Sequence, residues 1–131
     1  MAATDPQPDV RWLERSAKLW PELEPRIREA ARKCGYALGV HGSLRRDFDV
    51  IAVPWTRDAV PARELADAIK AAAEQVVPCA YIRDTKGAAN PDYFLNGCPG
   101  AKPHGRLVWS YHLGGGPYID LSVMPRLVED D

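Results

Sequence analysis

Two aspartates, Asp47 and Asp49, lie two residues apart where a β-branched run begins, and Pro54 ends that run. Residues two apart in a strand project from the same face, about 7 Å apart along the chain. Two carboxylates directed to one place repel each other unless a cation lies between them. The spacing therefore predicts a divalent-cation site where a strand begins, although acids in a hairpin turn are also common.

A hairpin must position these aspartates. Residues 36–40 form a short apolar run, residues 41–46 are polar and turn-like, and residues 50–53 form the second strand. A glycine in the turn lets the backbone approach a ligand, and hydroxyl, amide and guanidinium groups can donate to phosphate. Each of these residues could equally belong to an ordinary solvated turn. The candidate phosphate-binding residues are Gly42, Ser43, Arg45 and Arg46.

A third carboxylate, Asp120, lies inside the apolar run 118–124. An acid is costly to bury in such a strand unless it is paired or bound to a metal. Asp120 therefore either joins the first two aspartates or faces water together with Ser122. The glycine run 114–116 cannot be a strand interior, so it predicts the tip of a hairpin whose first strand is 106–112.

The order of these residues resembles the signature of the DNA polymerase beta-type nucleotidyltransferase superfamily. That signature has a Gly-Ser pair at a strand end, an Asp-x-Asp sequence opening the next strand, and a third acid from a later strand. The resemblance implies a nucleotidyltransferase-like α/β (α+β) domain, with helices packed on a small mixed β-sheet. The residues that carry the resemblance are Gly42-Ser43, Asp47-Phe48-Asp49 and Asp120, within residues 36–55 and 117–124.

The resemblance also implies an activity, the transfer of a nucleoside monophosphate from a nucleoside triphosphate to an acceptor hydroxyl with release of pyrophosphate. Two Mg²⁺ ions about 3.5–4 Å apart clamp the attacking and leaving oxygens of such a reaction. Asp47 and Asp49 would ligate the ion that carries the triphosphate. Asp120 would complete the second metal site and accept the proton of the acceptor hydroxyl. The family includes protein, RNA and small-molecule acceptors.

Two other hypotheses stay open. Only three residues separate Ser43 from Asp47, fewer than family members usually carry, and a one-domain enzyme has little surface for an acceptor. A non-catalytic protein of the same fold, which binds a nucleotide or a protein partner as an antitoxin or a regulator does, is therefore the alternative. An interaction module with coincidental acids would bind neither metal nor nucleotide.

The composition of the chain limits the number of domains, the kinds of partner and the compartment that these hypotheses can assume. The chain has 131 residues, a formal net charge of −1 and 46% hydrophobic residues, as expected for one globular domain. With so small a net charge, the chain as a whole has no electrostatic field that would attract it to nucleic acid. No apolar run approaches the roughly 20 residues of a membrane span. Three scattered cysteines and the lack of an export signal fit the cytoplasm. We expect a disordered leader over 1–8, one domain over 9–128 and an acidic tail over 129–131.

Prolines mark the expected helix boundaries. We expect a first helix from an N-cap at Asp9 to Trp20, a break at Pro21 and Pro25, and a second helix that ends near Cys34.

Glycine and proline also mark the elements that follow. Gly35 should be the C-cap of the second helix, and Pro61 should start a third helix. Residues 77–83 could form a short strand, and the irregular segment 84–104 is of the kind that often forms binding loops.

Other chemistries fit less well. His41 and Ser43 match one His-x-Ser element of the two-histidine phosphoesterases, but the required second copy is missing. A zinc site from Cys98, His104 and His112 follows no standard spacing. The chain has no GxxxxGK sequence, so a P-loop enzyme is not expected.

Overall fold

The computed structural model describes residues 10–77, 103–113 and 117–126. The expected leader 1–8, the tail 129–131 and almost all of the segments 77–83 and 84–104 lie outside these residues. A short 3₁₀ turn, Pro103–Gly105, is described at the end of the last segment. The described elements, in chain order, are α1 (Val10–Lys33), β1 (Tyr36–His41), β2 (Phe48–Pro54), α2 (Ala62–Glu74), β3 (Leu107–His112) and β4 (Tyr118–Val123).

The four strands form one sheet in the order β1-β2-β4-β3. The two hairpin pairs, β1 with β2 and β3 with β4, are antiparallel, whereas the central pair of β2 and β4 is parallel. The fold is therefore α+β, with helices packed on a small mixed sheet, as the sequence predicts. The hairpin expected around residues 114–116 is also confirmed, because β3 and β4 pair on either side of it.

The first helix differs from the prediction. α1 is one helix of 24 residues, with Pro21 and Pro25 inside it, and the expected break does not occur. The physical reason is a stripe of buried residues at helical spacing that continues without interruption past both prolines, which are exposed on the other side of the helix. The expected cap, Asp9, lies outside the described residues. The buried stripe consists of Ser16, Leu19, Leu23, Ile27 and Ala31.

The glycine after α1 behaves as the sequence predicts. Gly35 has a φ of +89°, in the left-handed region that glycine tolerates at helix ends. A Cβ at this position would lie 2.5 Å from Thr56 Oγ1 and 2.7 Å from Ala59 Cα. Any other residue would therefore be strained in its backbone and would clash with the segment that follows β2.

The second helix begins where its proline predicts. Pro61 occupies the N-cap position of α2, so the third helix expected from the sequence is confirmed as an element. The hydroxyl of Tyr111, in β3, donates to the carbonyl of Ala66 over 2.8 Å and ties this helix to the sheet. Among the residues that the structure describes, no helix is long and apolar enough to cross a membrane. The buried side of α2 is formed by Leu65, Ala66, Ile69, Ala72 and Ala73.

In the described part of the chain, one face of the two central strands contributes to the core. Alternate residues of β2 and β4 are buried, and the residues between them are only partly buried or exposed. Because side chains alternate across a strand, this pattern assigns the remaining residues to the opposite face. The buried residues are Phe48, Val50, Ala52, Ile119, Leu121 and Val123.

Candidate functional site

A row of four polar residues crosses the sheet on the face opposite the core. His41 pairs in register with Asp49, Asp49 pairs with Asp120, and Asp120 pairs with Ser110. Residues that pair across neighbouring strands lie side by side on the same face, so each strand contributes one member of the row. The parallel pairing of β2 with β4 thus brings together two acids that are 71 positions apart in the sequence, counting from 49 to 120.

Three members of the row, His41, Asp49 and Asp120, line a cleft of 310 Å³. Two of the three acids identified in the sequence, Asp49 and Asp120, are therefore in the cleft lining. Ser122 and Arg106 also line the cleft. They were not identified as site residues from the sequence, because their proximity to the acids depends on the register of β3 and β4. The residues that line the cleft are His41, Asp49, Val50, Arg106, Val108, Asp120 and Ser122.

The two central acids interact electrostatically. Burial raises the pKa of Asp49, the charge of Asp120 raises it further, and His41 opposes the rise. Asp120 is oriented by Ser110, whose hydroxyl donates to Asp120 Oδ1 over 2.9 Å. A cation between the two carboxylates would relieve both the desolvation and the repulsion, so the pair is suited to hold one.

Asp47 lies just before β2 and is more enclosed. Its side chain is 14% exposed, and Arg46 Nε is 3.8 Å from Oδ2. Its Oδ1 atom is buried and has no hydrogen-bond partner among the residues that the structure describes. Burial raises the pKa of Asp47, while a hydrogen bond from Tyr118 and the charge of Arg46 lower it and the charges of Asp49 and Asp120 add to the rise. The three predicted acids therefore lie within electrostatic range of one another.

The tyrosine next to Asp47 takes part in the same electrostatics. The pKa of Tyr118 is raised to about 12, mainly by burial and secondly by the negative charge of Asp47. Its phenol therefore stays protonated at neutral pH and keeps its hydrogen for the carboxylate. On its other side the ring contacts His112, with ring centroids 5.4 Å apart.

The Gly42-Ser43 turn approaches the acid pair closely. Gly42 has a φ of +93°, and a Cβ there would lie 3.1 Å from Asp49 Oδ2. The absence of a side chain at Gly42 therefore leaves the Asp49 carboxylate open from this direction. The Ser43 hydroxyl accepts a hydrogen bond from the Arg45 amide over 3.2 Å, which stabilises the turn locally.

The two candidate arginines of the turn are placed differently. Arg45 is exposed and does not line the cleft. Arg46 is anchored to α1, because its carbonyl accepts hydrogen bonds from Trp12 Nε1 at 2.9 Å and from Ser16 Oγ at 3.2 Å. Its guanidinium lies over the Trp12 ring, 5.5 Å from the ring centroid. This anchor could not be predicted from the sequence, because Ser16 stands out there only as one polar residue on an apolar helix stripe.

The acids fit one divalent cation better than two. Among the described residues, no group of three or more His, Cys, Asp or Glu side chains is arranged to hold a metal ion. Mg²⁺, however, is usually held in proteins by one or two carboxylates together with substrate phosphates. The adjacent pair of Asp49 and Asp120 meets that smaller requirement. Of the alternative zinc ligands, Cys98 lies outside the described residues.

Comparisons of this chain with protein-family models, with curated proteins and with solved structures find no match.

Proposed function

We propose that this chain is a Mg²⁺-dependent nucleotidyltransferase, which moves a nucleoside monophosphate from a nucleoside triphosphate to an acceptor hydroxyl. The observation that carries the proposal is the register that sets Asp49 beside Asp120 on the face opposite the core. Two carboxylates held side by side at a half-buried position cost folding free energy, and a functional cation gives a reason for that cost.

The acid pair would hold the cation together with the phosphates of the nucleotide. When bound, the ion would neutralise charge on the phosphates and hold them in line for displacement. Gly42 supports this arrangement, because its missing side chain lets a phosphate approach Asp49 from the turn. Asp47 would contribute negative charge from the edge of the site, where Tyr118 holds it.

The reaction also needs a proton acceptor. A bond forms between the acceptor oxygen and the α-phosphorus, the bond from that phosphorus to the bridging oxygen breaks, and pyrophosphate leaves. The hydroxyl proton passes to a carboxylate, and we assign this role to Asp120. Ser110 fixes Oδ1 of Asp120 by its hydrogen bond, so Oδ2 is the oxygen that can take the proton.

Calorimetric titration with each nucleoside triphosphate, with and without Mg²⁺, tests the proposal. We expect Mg²⁺-dependent binding that weakens by at least about tenfold in the double variant Asp49→Asn/Asp120→Asn, because two anionic ligands are lost. The matched control is Asp67→Asn, which removes one charge from an exposed position on α2. Binding that is independent of Mg²⁺, or that survives the double change, would contradict the proposal.

A non-catalytic nucleotide-binding protein is the second candidate. The specific observation in its favour is that Asp47 accepts a hydrogen bond from Tyr118, while no group of three acids among the described residues is arranged to hold a metal ion. Asp120→Asn separates the two candidates when label transfer from an α-³²P-labelled triphosphate to RNA, protein and small hydroxyl acceptors is measured beside binding. An enzyme loses transfer and retains much of its nucleotide binding, whereas a binding protein shows no transfer before or after the change.

A further inference from the structure

One positively charged side chain in the cleft, that of Arg106, has no role in the proposed nucleotide site. Arg106 immediately precedes β3, and its Nη1 donates to the Ser122 hydroxyl on β4 over 3.0 Å. The register places Ser122 opposite Val108, so the arginine side chain reaches diagonally along the sheet toward the polar row. Both residues line the cleft beside Asp120.

The described part of the chain uses little of the Arg106 guanidinium. Within that part, Arg106 makes one side-chain hydrogen bond, to a neutral hydroxyl and not to a carboxylate, although its guanidinium has five N–H groups. Ser122 accepts this bond and keeps its own hydrogen to donate. Two neighbouring donors of this kind match the oxygens of a phosphate group.

The position of this pair distinguishes it from the Gly42 turn. In the sheet order β1-β2-β4-β3, the turn follows β1 and approaches Asp49, whereas Ser122 belongs to β4 and Arg106 immediately precedes β3. Ser122 lies two residues after Asp120, about 7 Å along the strand. A nucleotide held from the turn side would leave the part of the cleft beside Ser122 open to the acceptor.

We propose that Arg106 and Ser122 form an anion subsite for the acceptor, so that the acceptor is a molecule that carries a phosphate group near its reacting hydroxyl. This inference rests on the proposed nucleotidyl transfer for the acceptor's role, but the anion subsite itself does not require a metal. A sugar phosphate, a nucleotide and the end of an RNA strand all share this chemistry.

The test measures binding of adenosine 5′-monophosphate, inorganic phosphate and adenosine by calorimetry without Mg²⁺. The variants are Arg106→Gln, Ser122→Ala and Arg106→Lys, with Arg57→Gln as the matched control for charge at an exposed position outside the cleft. We expect adenosine 5′-monophosphate and phosphate to bind the unaltered chain and adenosine to bind far more weakly. Binding should weaken by about tenfold or more in Arg106→Gln, less in Ser122→Ala and Arg106→Lys, and not in Arg57→Gln.

Several results would overturn the subsite. Absence of phosphate binding to the unaltered chain, equal loss in Arg57→Gln, or unchanged binding in both Arg106→Gln and Ser122→Ala would each do so. If Arg106→Gln weakens Mg²⁺-dependent triphosphate binding as much as it weakens monophosphate binding, the pair serves the nucleotide and the acceptor assignment is wrong. Thermal unfolding of each variant establishes that it is folded.

The same titrations separate failure of the subsite from failure of the proposed function. Loss of phosphate binding in Arg106→Gln but not in Asp49→Asn supports the subsite even if no triphosphate binds. The opposite result is Mg²⁺-dependent triphosphate binding that is lost in Asp49→Asn, together with phosphate binding that is unchanged in Arg106→Gln. That result would support the nucleotide site and contradict the anion subsite. A 3′-hydroxyl oligoribonucleotide, compared with adenosine 5′-monophosphate, distinguishes an RNA end from a small phosphorylated acceptor by whether Arg106→Gln affects its binding.

Discussion

At the residue scale, Gly42 and Gly39 offer a matched pair of glycines beside the site. Gly42→Ala places a methyl group 3.1 Å from Asp49 Oδ2 at a φ of +93°, whereas Gly39→Ala meets its nearest atom, the Ile51 carbonyl oxygen, at 4.0 Å. We expect Gly42→Ala to lower the free energy of unfolding by about 1–2 kcal/mol, and Gly39→Ala to leave it unchanged or raise it slightly. Chemical denaturation of both variants measures this, and equal effects would contradict the turn geometry.

Asp49 makes stability depend on pH. Its pKa is raised by burial first and by Asp120 next, with His41 opposing, so the folded state binds this proton more tightly than the unfolded chain does. As pH rises from the ordinary aspartate pKa through the raised one, the unaltered chain should therefore lose stability relative to Asp49→Asn, and above that window the deficit should stay constant. At neutral pH we expect Asp49→Asn to be more stable by up to about 1 kcal/mol, as for like charges on neighbouring strands.

Urea denaturation between about pH 4 and about pH 8 checks this prediction. Asp67→Asn is the control, because it removes the same charge from the exposed side of α2 and should stay close to the unaltered chain. An Asp49→Asn variant that is less stable at neutral pH would mean that the carboxylate makes a stabilising contact, and would remove the argument that a cation relieves it.

At the element scale, α1 contains a defect that the fold tolerates. Pro21 and Pro25 lie within the helix on its exposed side, and each removes one backbone hydrogen bond from the helical series. Packing of the buried stripe outweighs this cost, in keeping with the general rule that tertiary contacts supply most helix stability in proteins. The helix also fixes the turn before β2, through the two hydrogen bonds to the Arg46 carbonyl.

Replacing one proline should therefore stabilise the chain. We expect Pro25→Ala to raise the free energy of unfolding by about 1–3 kcal/mol, because it restores a donor and removes a steric conflict at an exposed helix position. Thermal and urea denaturation measure the change, with the exposed Lys18→Ala as a control for helix propensity alone. A loss of stability in Pro25→Ala would indicate that the helix is broken at this proline, as the sequence pattern suggests.

At the scale of the whole molecule, one face of the sheet packs in the core and the other face carries the polar row. Phe48 is fully buried and its ring lies 5.0 Å from that of Trp20, centroid to centroid, while the adjacent Asp49 belongs to the polar row. The same alternation along β4 separates buried Ile119 and Leu121 from Asp120. The helices hold the sheet from the core side, so the opposite face can carry acids that would destabilise a core.

Much of this arrangement could be predicted from the sequence, because it depends on local patterns. Alternation around Asp120, the β-branched run after Asp49 and the glycines at the hairpin tip define the strands, since each reflects interactions within a few residues. The predicted end of the first helix before Pro21 was wrong because it depends on contacts between distant parts of the chain. Proline propensity is local, and the buried stripe that overrides it acts only when the helix packs on the rest of the chain.

The strands, and the polar residues that each strand carries, can be predicted from the sequence, because hydrophobic periodicity and turn chemistry are properties of short segments. The tertiary fold is needed to set Asp49 beside Asp120, to bring Asp47 to Tyr118 and to bring Arg106 to Ser122. These relations depend on strand order and register. Both are set by contacts between segments far apart in the chain, where a shift of one residue would move every side chain to the other face.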